Sequence, residues 1–445
     1  MPLTMPTNQK SPTLARYLVI LAVYILIQLS VVYAFKLDTL GALLNHHWQI
    51  ADLRELAAEP LTSWIYVHSQ PPLLNIIISI FSSINGEIYL DFILLNCFCA
   101  AGAAVVVKYV VNEFLFLSEW VGYCVSLAYL LAPGTLLNTG YPFYPALTSA
   151  GYSVLALSLF LNKSHKSISL ILLTGSVIYL TLLRSSFAPL VAIAIFLVYF
   201  IIIDNRASSR RNILIVVIIS LTPITAVYTK NYIMYDFWGS TSWAPLNMAK
   251  GFGSLAEFNY FPSPAQIKNE MPNITCVHGY RTIDTSELKS DGNPNYNSCY
   301  FLSFAQSQRS DLSSRYDIKQ HLRRVISHFG KYYSLPDKYE YLSNRTNIES
   351  YANAYDKIFL PLELRKNYNV RISILILMIL TAYQLVKQPN KCIFGLYLIC
   401  LIHLFSHVLT DGDEGDRFVF DIEFSFYIFG AYLFASFAKK VPQFT

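Results

Sequence analysis

The chain has 445 residues, of which 54% are hydrophobic and only 14% are charged. Soluble globular domains carry roughly 25% charged residues, so this composition excludes an ordinary soluble protein and indicates a polytopic membrane protein. The formal net charge of +5 is small for the length and lies mainly in connecting segments, so it gives no support to nucleic-acid binding.

Ten apolar stretches approach the roughly 20 residues that a helix needs to cross the hydrocarbon core of a membrane. A shorter apolar run at 72–84 has the length of a re-entrant or interfacial segment and is not counted as a crossing. We therefore predict an all-α bundle of about ten spans, near residues 15–35, 88–110, 119–137, 141–161, 167–183, 186–203, 213–234, 370–386, 392–410 and 422–438.

The basic residues predict the orientation of this bundle. With Lys10 and Arg16 inside, ten crossings also place most lysines and arginines of the short connectors on the cytoplasmic side. The polar leader before the first span then predicts a retained anchor, with both termini in the cytoplasm. Four polar stretches face outward, namely the amphipathic first loop 36–87, the turn 138–142, the long segment 235–369 and the loop 411–423.

These boundaries divide the chain into three parts. An N-terminal transmembrane module covers 1–234, an extracytoplasmic segment or lid covers 235–369, and C-terminal transmembrane helices cover 370–445. Cys276 and Cys299 share the long segment and could form a disulfide if that segment faces an oxidising compartment.

The first outer loop joins an acidic segment to His68-Ser69-Gln70-Pro71-Pro72 and then to an apolar run. Asp52 begins a series of acids at helical spacing, and such a carboxylate could act as a general base. The alternative is a solvated acidic helix face. His68 and Gln70 could bind a lipid phosphate or a sugar hydroxyl, or could instead satisfy the polar groups at the start of the helix after the prolines.

Three residues outside this loop could bind a substrate. Arg184 lies in a short turn between two apolar spans, where its guanidinium fits phosphate or an internal ion pair with a nearby acid. Lys230 ends the seventh span and could simply snorkel to the interface. Trp243 could stack on a sugar ring, although an aromatic-belt residue gives the same pattern.

The loop Asp411-Gly412-Asp413-Glu414-Gly415-Asp416-Arg417-Phe418 is rich in acids. It could bind a divalent cation through oxygen ligands, but it lacks the length and terminal Glu of an EF-hand. We favour Arg417 binding an anionic head group, with Glu414 orienting it. His46 and His47 lack a spaced third ligand, so no metal site is predicted and a divalent cation remains a possible cofactor.

Together these features resemble the GT-C superfamily of membrane glycosyltransferases, in the branch of protein O-mannosyltransferases and lipid A aminoarabinose transferases. The resemblance is carried by the first-loop acid upstream of His-Ser-Gln-Pro-Pro, by Arg184, and by Glu414-x-x-Arg417-Phe418. It implies transfer of a sugar from a polyprenyl-phosphate carrier to a lipid, glycan or protein acceptor on the outer face.

The resemblance also implies residue roles. A first-loop acid would be the base, either Asp52 or Asp38, because the Asp-Glu pair that many relatives have after the first span is missing here. Arg184, Arg417 and Lys230 would neutralise the departing carrier phosphate. Membrane lipids are further partners, and the expected location is a bacterial inner membrane with the site facing the periplasm.

Two other classes remain open. A transporter or flippase would more often show repeats or broken spans in matching halves, and neither is visible. An O-antigen type polymerase or ligase would place its chemistry in the long segment, where candidates are Arg315, His321, Arg323 and Arg324.

Overall fold

A computed structural model describes residues 14–34, 50–60, 62–84, 88–140, 143–162, 164–185, 189–202, 207–243, 263–270, 287–315, 319, 323, 369–410 and 421–438. These residues are mostly α-helical and contain no β-strand. The all-α prediction is confirmed for this part of the chain. The division into three parts stays a prediction.

The described part of the chain forms a series of α-helices. Two irregular turns accompany them, a 3₁₀ turn at Ser63–Tyr66 and a π turn at Val110–Phe114 that extends α4. The helices are α1 Leu14–Ala34, α2 Leu53–Ala58, α3 Leu73–Ile84, α4 Ile88–Tyr109, α5 Glu119–Leu130, α6 Pro133–Gly140, α7 Pro145–Leu161, α8 Lys166–Leu183, α9 Pro189–Ile202, α10 Ala207–Tyr235, α11 Pro264–Glu270, α12 Cys299–Arg315, α13 Asn369–Lys387, α14 Lys391–Thr410 and α15 Glu423–Ala438.

An apolar helix lies at each of the ten positions where a span is predicted. In the described residues, 4 helices are long and apolar enough to cross a membrane, and the number is up to 5 if the bent pair α5 and α6 forms one span. That pair is bent by 52° where Pro133 interrupts the backbone hydrogen bonds. Several helices thus suit a membrane, while the count of ten remains a prediction because the others are shorter.

Close packing of α7 on α8 forms the centre of the bundle. Gly151 makes it possible, since a Cβ atom there would lie 2.7 Å from Cδ2 of Leu180 and 2.9 Å from Cδ1 of Tyr179. The surrounding core is a continuous apolar cluster from α1, α4, α5, α7 to α10 and α13 to α15. This core is the scaffold on which the polar groups described below are held.

The two ends of α4 contact different groups of residues. Its start packs near the first loop, where Ile50, Leu56 and Leu74 share a core with Tyr144 and Leu183. Its other end carries the buried Lys108, whose Nζ lies 2.6 Å from Oε2 of Glu119. A helix rises 1.5 Å per residue, so these two regions are about 30 Å apart, the thickness of a membrane's hydrocarbon core.

Candidate functional site

A buried group of charged and polar side chains lies where α7, α8, α14 and α15 meet. Arg184 donates from Nη1 to Oδ2 of Asp421, and both side chains are almost fully buried, at 4% and 0% exposure. Nε2 of His403 lies 3.5 Å from the same carboxylate oxygen. Tyr152 contacts Nδ1 of His403 through its hydroxyl, at 2.7 Å, and His407 stacks edge-on against His403 with ring centroids 4.4 Å apart. We call these five residues the buried polar cluster.

The local sequence explains how these side chains converge. Arg184 is the residue after α8, where the helix stops and the backbone becomes extended. His403 and His407 are four residues apart near the end of α14, so they share one helix face. Asp421 stands two residues before α15 begins. Three helix ends therefore supply the charged groups.

The buried polar cluster connects to the first loop through Tyr144. The guanidinium carbon of Arg184 lies 4.9 Å from the centroid of the Tyr144 ring. The same tyrosine belongs to the apolar core that holds Ile50, Leu56 and Val67 of the first loop. The described parts of this loop and of the stretch before α15 thus lie at the same end of the bundle.

His68 fastens the first loop to the long segment. Nε2 of its ring lies 2.9 Å from the carbonyl oxygen of Asn297, and Nδ1 lies 2.9 Å from the hydroxyl of Ser242. Because a carbonyl only accepts, Nε2 carries the proton and Nδ1 accepts from Ser242. The backbone amides of His68 and Ser69 both donate to Oδ1 of Asn297, at 3.3 and 3.1 Å. The ring is therefore held by protein groups on both nitrogens.

Burial makes this connection sensitive to acid. Loss of solvent lowers the pKa of His68 to about 3, and the charge of Lys230 adds to the effect. Below pH 6.5 the His68 imidazole becomes protonated in the unfolded chain but stays neutral in the folded chain. The folded state therefore loses stability relative to the unfolded state as the pH falls toward 3. We expect the free energy of unfolding to fall by up to about 1.4 kcal/mol per pH unit below 6.5.

Denaturation in detergent at pH values from 7.5 to 4.5 measures this slope. The variant His68→Gln, which cannot be protonated, should lose the contribution and show a flatter profile. An equal slope in both proteins would contradict the assignment.

The end of α10 also holds the first loop. Nζ of Lys230 donates to the carbonyl of Val67 at 2.7 Å, and the hydroxyl of Tyr235 donates to the carbonyl of Tyr66 at 2.6 Å. Gln70, three residues after Val67, is also buried. Lys230 therefore does more than snorkel, because its ammonium group binds the backbone just before the His-Ser-Gln-Pro-Pro stretch.

Asp52 caps α2 and contacts the long segment. Its Oδ1 accepts from the backbone amide of Arg54 at 2.9 Å and from the Ser290 hydroxyl at 2.7 Å, and its Oδ2 accepts from the Ser290 amide at 2.5 Å. Lys289 lies beside it, and burial lowers the pKa of this lysine to about 8 while the charges of Asp291 and Asp52 oppose the shift. These contacts give Asp52 a clear structural role.

Trp243 lies in the interior of the long segment. Its ring packs on Tyr296 and Phe301, with centroids 5.3 and 4.6 Å away, and it is 1% exposed. In this position the ring supports the fold and presents no open face for a sugar. Cys299, at the start of α12, is disulfide-bonded, and Cys276, the cysteine with which it could pair, lies outside the described residues.

Several predicted residues fall outside the described part of the chain. Asp38, Glu414 and Arg417 are among them, as are His321 and Arg324 of the polymerase alternative. Arg315 ends α12, and Arg323 is exposed. The roles predicted for these residues stay predictions.

Sequence reasoning did not select His403 and His407. The signal was present as a His-x-x-x-His spacing inside an apolar helix, where polar side chains usually have a function. Asp421 lies in the loop 411–423, which is predicted to face outward, but it was not singled out as a site residue. Comparison with protein-family models, curated proteins and solved structures found no match for this chain.

Proposed function

We propose that the protein is an integral membrane glycosyltransferase of the GT-C type. It would transfer a sugar from a polyprenyl-phosphate carrier to a lipid, glycan or protein acceptor, at the outer face of a bacterial inner membrane. The observation that carries the proposal is the buried polar cluster around Arg184, joined through Tyr144 to the first outer loop. Charged groups inside an apolar bundle are expensive and are usually retained for function.

The chemistry needs two kinds of group. A base removes the proton of the acceptor hydroxyl or amine while that oxygen or nitrogen attacks the anomeric carbon. The bond from that carbon to the carrier phosphate breaks, and the phosphate leaves with the bonding electrons. A guanidinium has five N–H donors, so Arg184 can keep its bond to Asp421 and still donate to the departing phosphate.

The disulfide-bonded Cys299 supports the outward orientation of the long segment, because disulfides persist in oxidising compartments such as the periplasm. That segment contacts the first loop through His68 and Asp52. An acid of the first loop would then serve as the base on the same side, with Asp52 and Asp38 as the two candidates.

The base is identified by sugar transfer from labelled polyprenyl-phosphate donors. We expect Asp52→Asn or Asp38→Asn to reduce transfer by about 10²- to 10⁴-fold, the usual contribution of general base catalysis. The control is Ser290→Ala, which removes one hydrogen bond to Asp52 and keeps its carboxylate. If Asp52 is only a structural contact, Ser290→Ala and Asp52→Asn should have similar, small effects.

Transfer that fails in one acid variant alone would establish both the class and the base. If the wild-type protein consumes no donor, and neither variant changes a cell-surface glycan, the proposal is wrong. The polymerase and transporter alternatives would then take precedence.

A further inference from the structure

Three side chains of the buried polar cluster have the composition of a metal site. His403, His407 and Asp421 each offer one ligand atom, and these atoms all lie within 4.8 Å of one another. All three side chains are buried. Two imidazoles from α14 and one carboxylate from just before α15 are a ligand set that suits zinc and similar metals, whereas calcium and magnesium prefer oxygen ligands alone.

The distances are close to what binding requires. Ligand atoms about 2.0–2.2 Å from a tetrahedral zinc ion lie roughly 3.3–3.5 Å apart, so small side-chain rotations would complete the site. Nε2 of His403 already lies 3.5 Å from Oδ2 of Asp421. We propose that His403, His407 and Asp421 bind a divalent metal of the zinc class, with a phosphate-type anion in the fourth position.

The surrounding groups fit this assignment. Metal-bound histidines usually bond through their other nitrogen to a second group, which fixes the ring orientation. Tyr152 occupies that place on Nδ1 of His403, at 2.7 Å, and leaves Nε2 directed toward Asp421. Arg184 binds the Asp421 carboxylate, which has about four lone-pair positions and can serve a guanidinium and a metal together.

Charge balance identifies the fourth ligand. With neutral histidines, the positive charge of Arg184 cancels the negative charge of Asp421, and a divalent ion would then leave two uncompensated charges in a buried place. Burying such charges is costly unless they are paired. A phosphate group supplies two negative charges, so metal and phosphate should bind more tightly together than separately.

Cobalt provides the direct test, because Co²⁺ absorbs visible light strongly when its coordination is tetrahedral. The full-length protein in detergent is treated with a chelator, freed of it, and titrated with Co²⁺ alone. We expect one equivalent to bind, to be displaced by Zn²⁺, and to bind at least tenfold more weakly in Tyr152→Phe, which keeps all three ligands. His403→Gln and His407→Gln should abolish the absorption.

The matched control is His165→Gln, which removes an exposed histidine outside the cluster and should leave Co²⁺ binding unchanged. Thermal unfolding of each variant without metal verifies that it is folded. Inorganic phosphate should increase the affinity for Co²⁺ about tenfold or more.

Binding that is absent in the wild-type protein, or equal in wild type and a folded His407→Gln variant, would overturn the site. An affinity that phosphate does not change would overturn the assignment of the fourth ligand. None of these measurements uses a sugar donor, so their outcome is independent of the glycosyltransferase proposal.

Discussion

Asp421→Asn is expected to destabilise the protein by about 3–5 kcal/mol, because it leaves the guanidinium of Arg184 buried without its charged partner. Both side chains are held in an apolar bundle where water cannot replace the lost interaction. Denaturant-induced unfolding in detergent micelles, compared at one fixed pH, measures the loss.

Two further variants make the result specific. Glu287→Gln breaks the pair with Lys268 at the surface and should cost far less stability, because solvent screens an exposed ion pair. The double variant Arg184→Met with Asp421→Leu replaces the pair by apolar side chains and should recover most of the lost stability. A loss in Asp421→Asn no larger than that in Glu287→Gln would contradict the buried pair. If the double variant is stable but does not transfer sugar, the pair has a functional role beyond holding the fold.

Trp243→Ala is expected to destabilise the long segment by about 3–5 kcal/mol, since it removes a large buried ring and leaves a cavity between Tyr296, Phe301 and Ile267. Thermal unfolding, followed by tryptophan fluorescence and by protease sensitivity of the segment, measures the effect.

Trp120→Ala is the control, because that ring is 79% exposed and should change stability by no more than about 0.5 kcal/mol. If Trp243 instead bound a sugar on an open face, Trp243→Ala would weaken substrate binding and leave the unfolding temperature unchanged. That outcome would contradict the packing described above.

The positions of the apolar helices could be predicted from the sequence, because helix formation by an apolar run depends mainly on the residues of that run. Long apolar runs without charges form helices regardless of which other helices they pack against. Prolines or polar groups mark the ends of these helices. The bend between α5 and α6 at Pro133 was not predicted, because residues 119–137 were read as one span. The length of a run does not show whether a helix of 14 to 17 residues crosses a membrane. Crossing also depends on the tilt of the helix and on its neighbouring helices.

The partners of the polar residues could not be predicted from the sequence, because they come from distant parts of the chain. Arg184 was equally consistent with phosphate and with an ion pair, and its partner Asp421 is 237 positions away. His68 finds Ser242 and Asn297 at separations of 174 and 229 residues. The partner of each of these residues depends on which helix ends meet, and that is determined by the packing of the whole bundle.

The connection between His68 and Asn297 also affects how the protein is made. A ribosome delivers the first loop long before Asn297 exists, so the loop cannot reach its final shape while the early helices insert. Until α12 has been synthesised, the imidazole and the neighbouring backbone amides must stay hydrated or find temporary partners. The order of synthesis thus places completion of the first loop after the synthesis of Asn297, and a chain terminated before that residue would lack this connection.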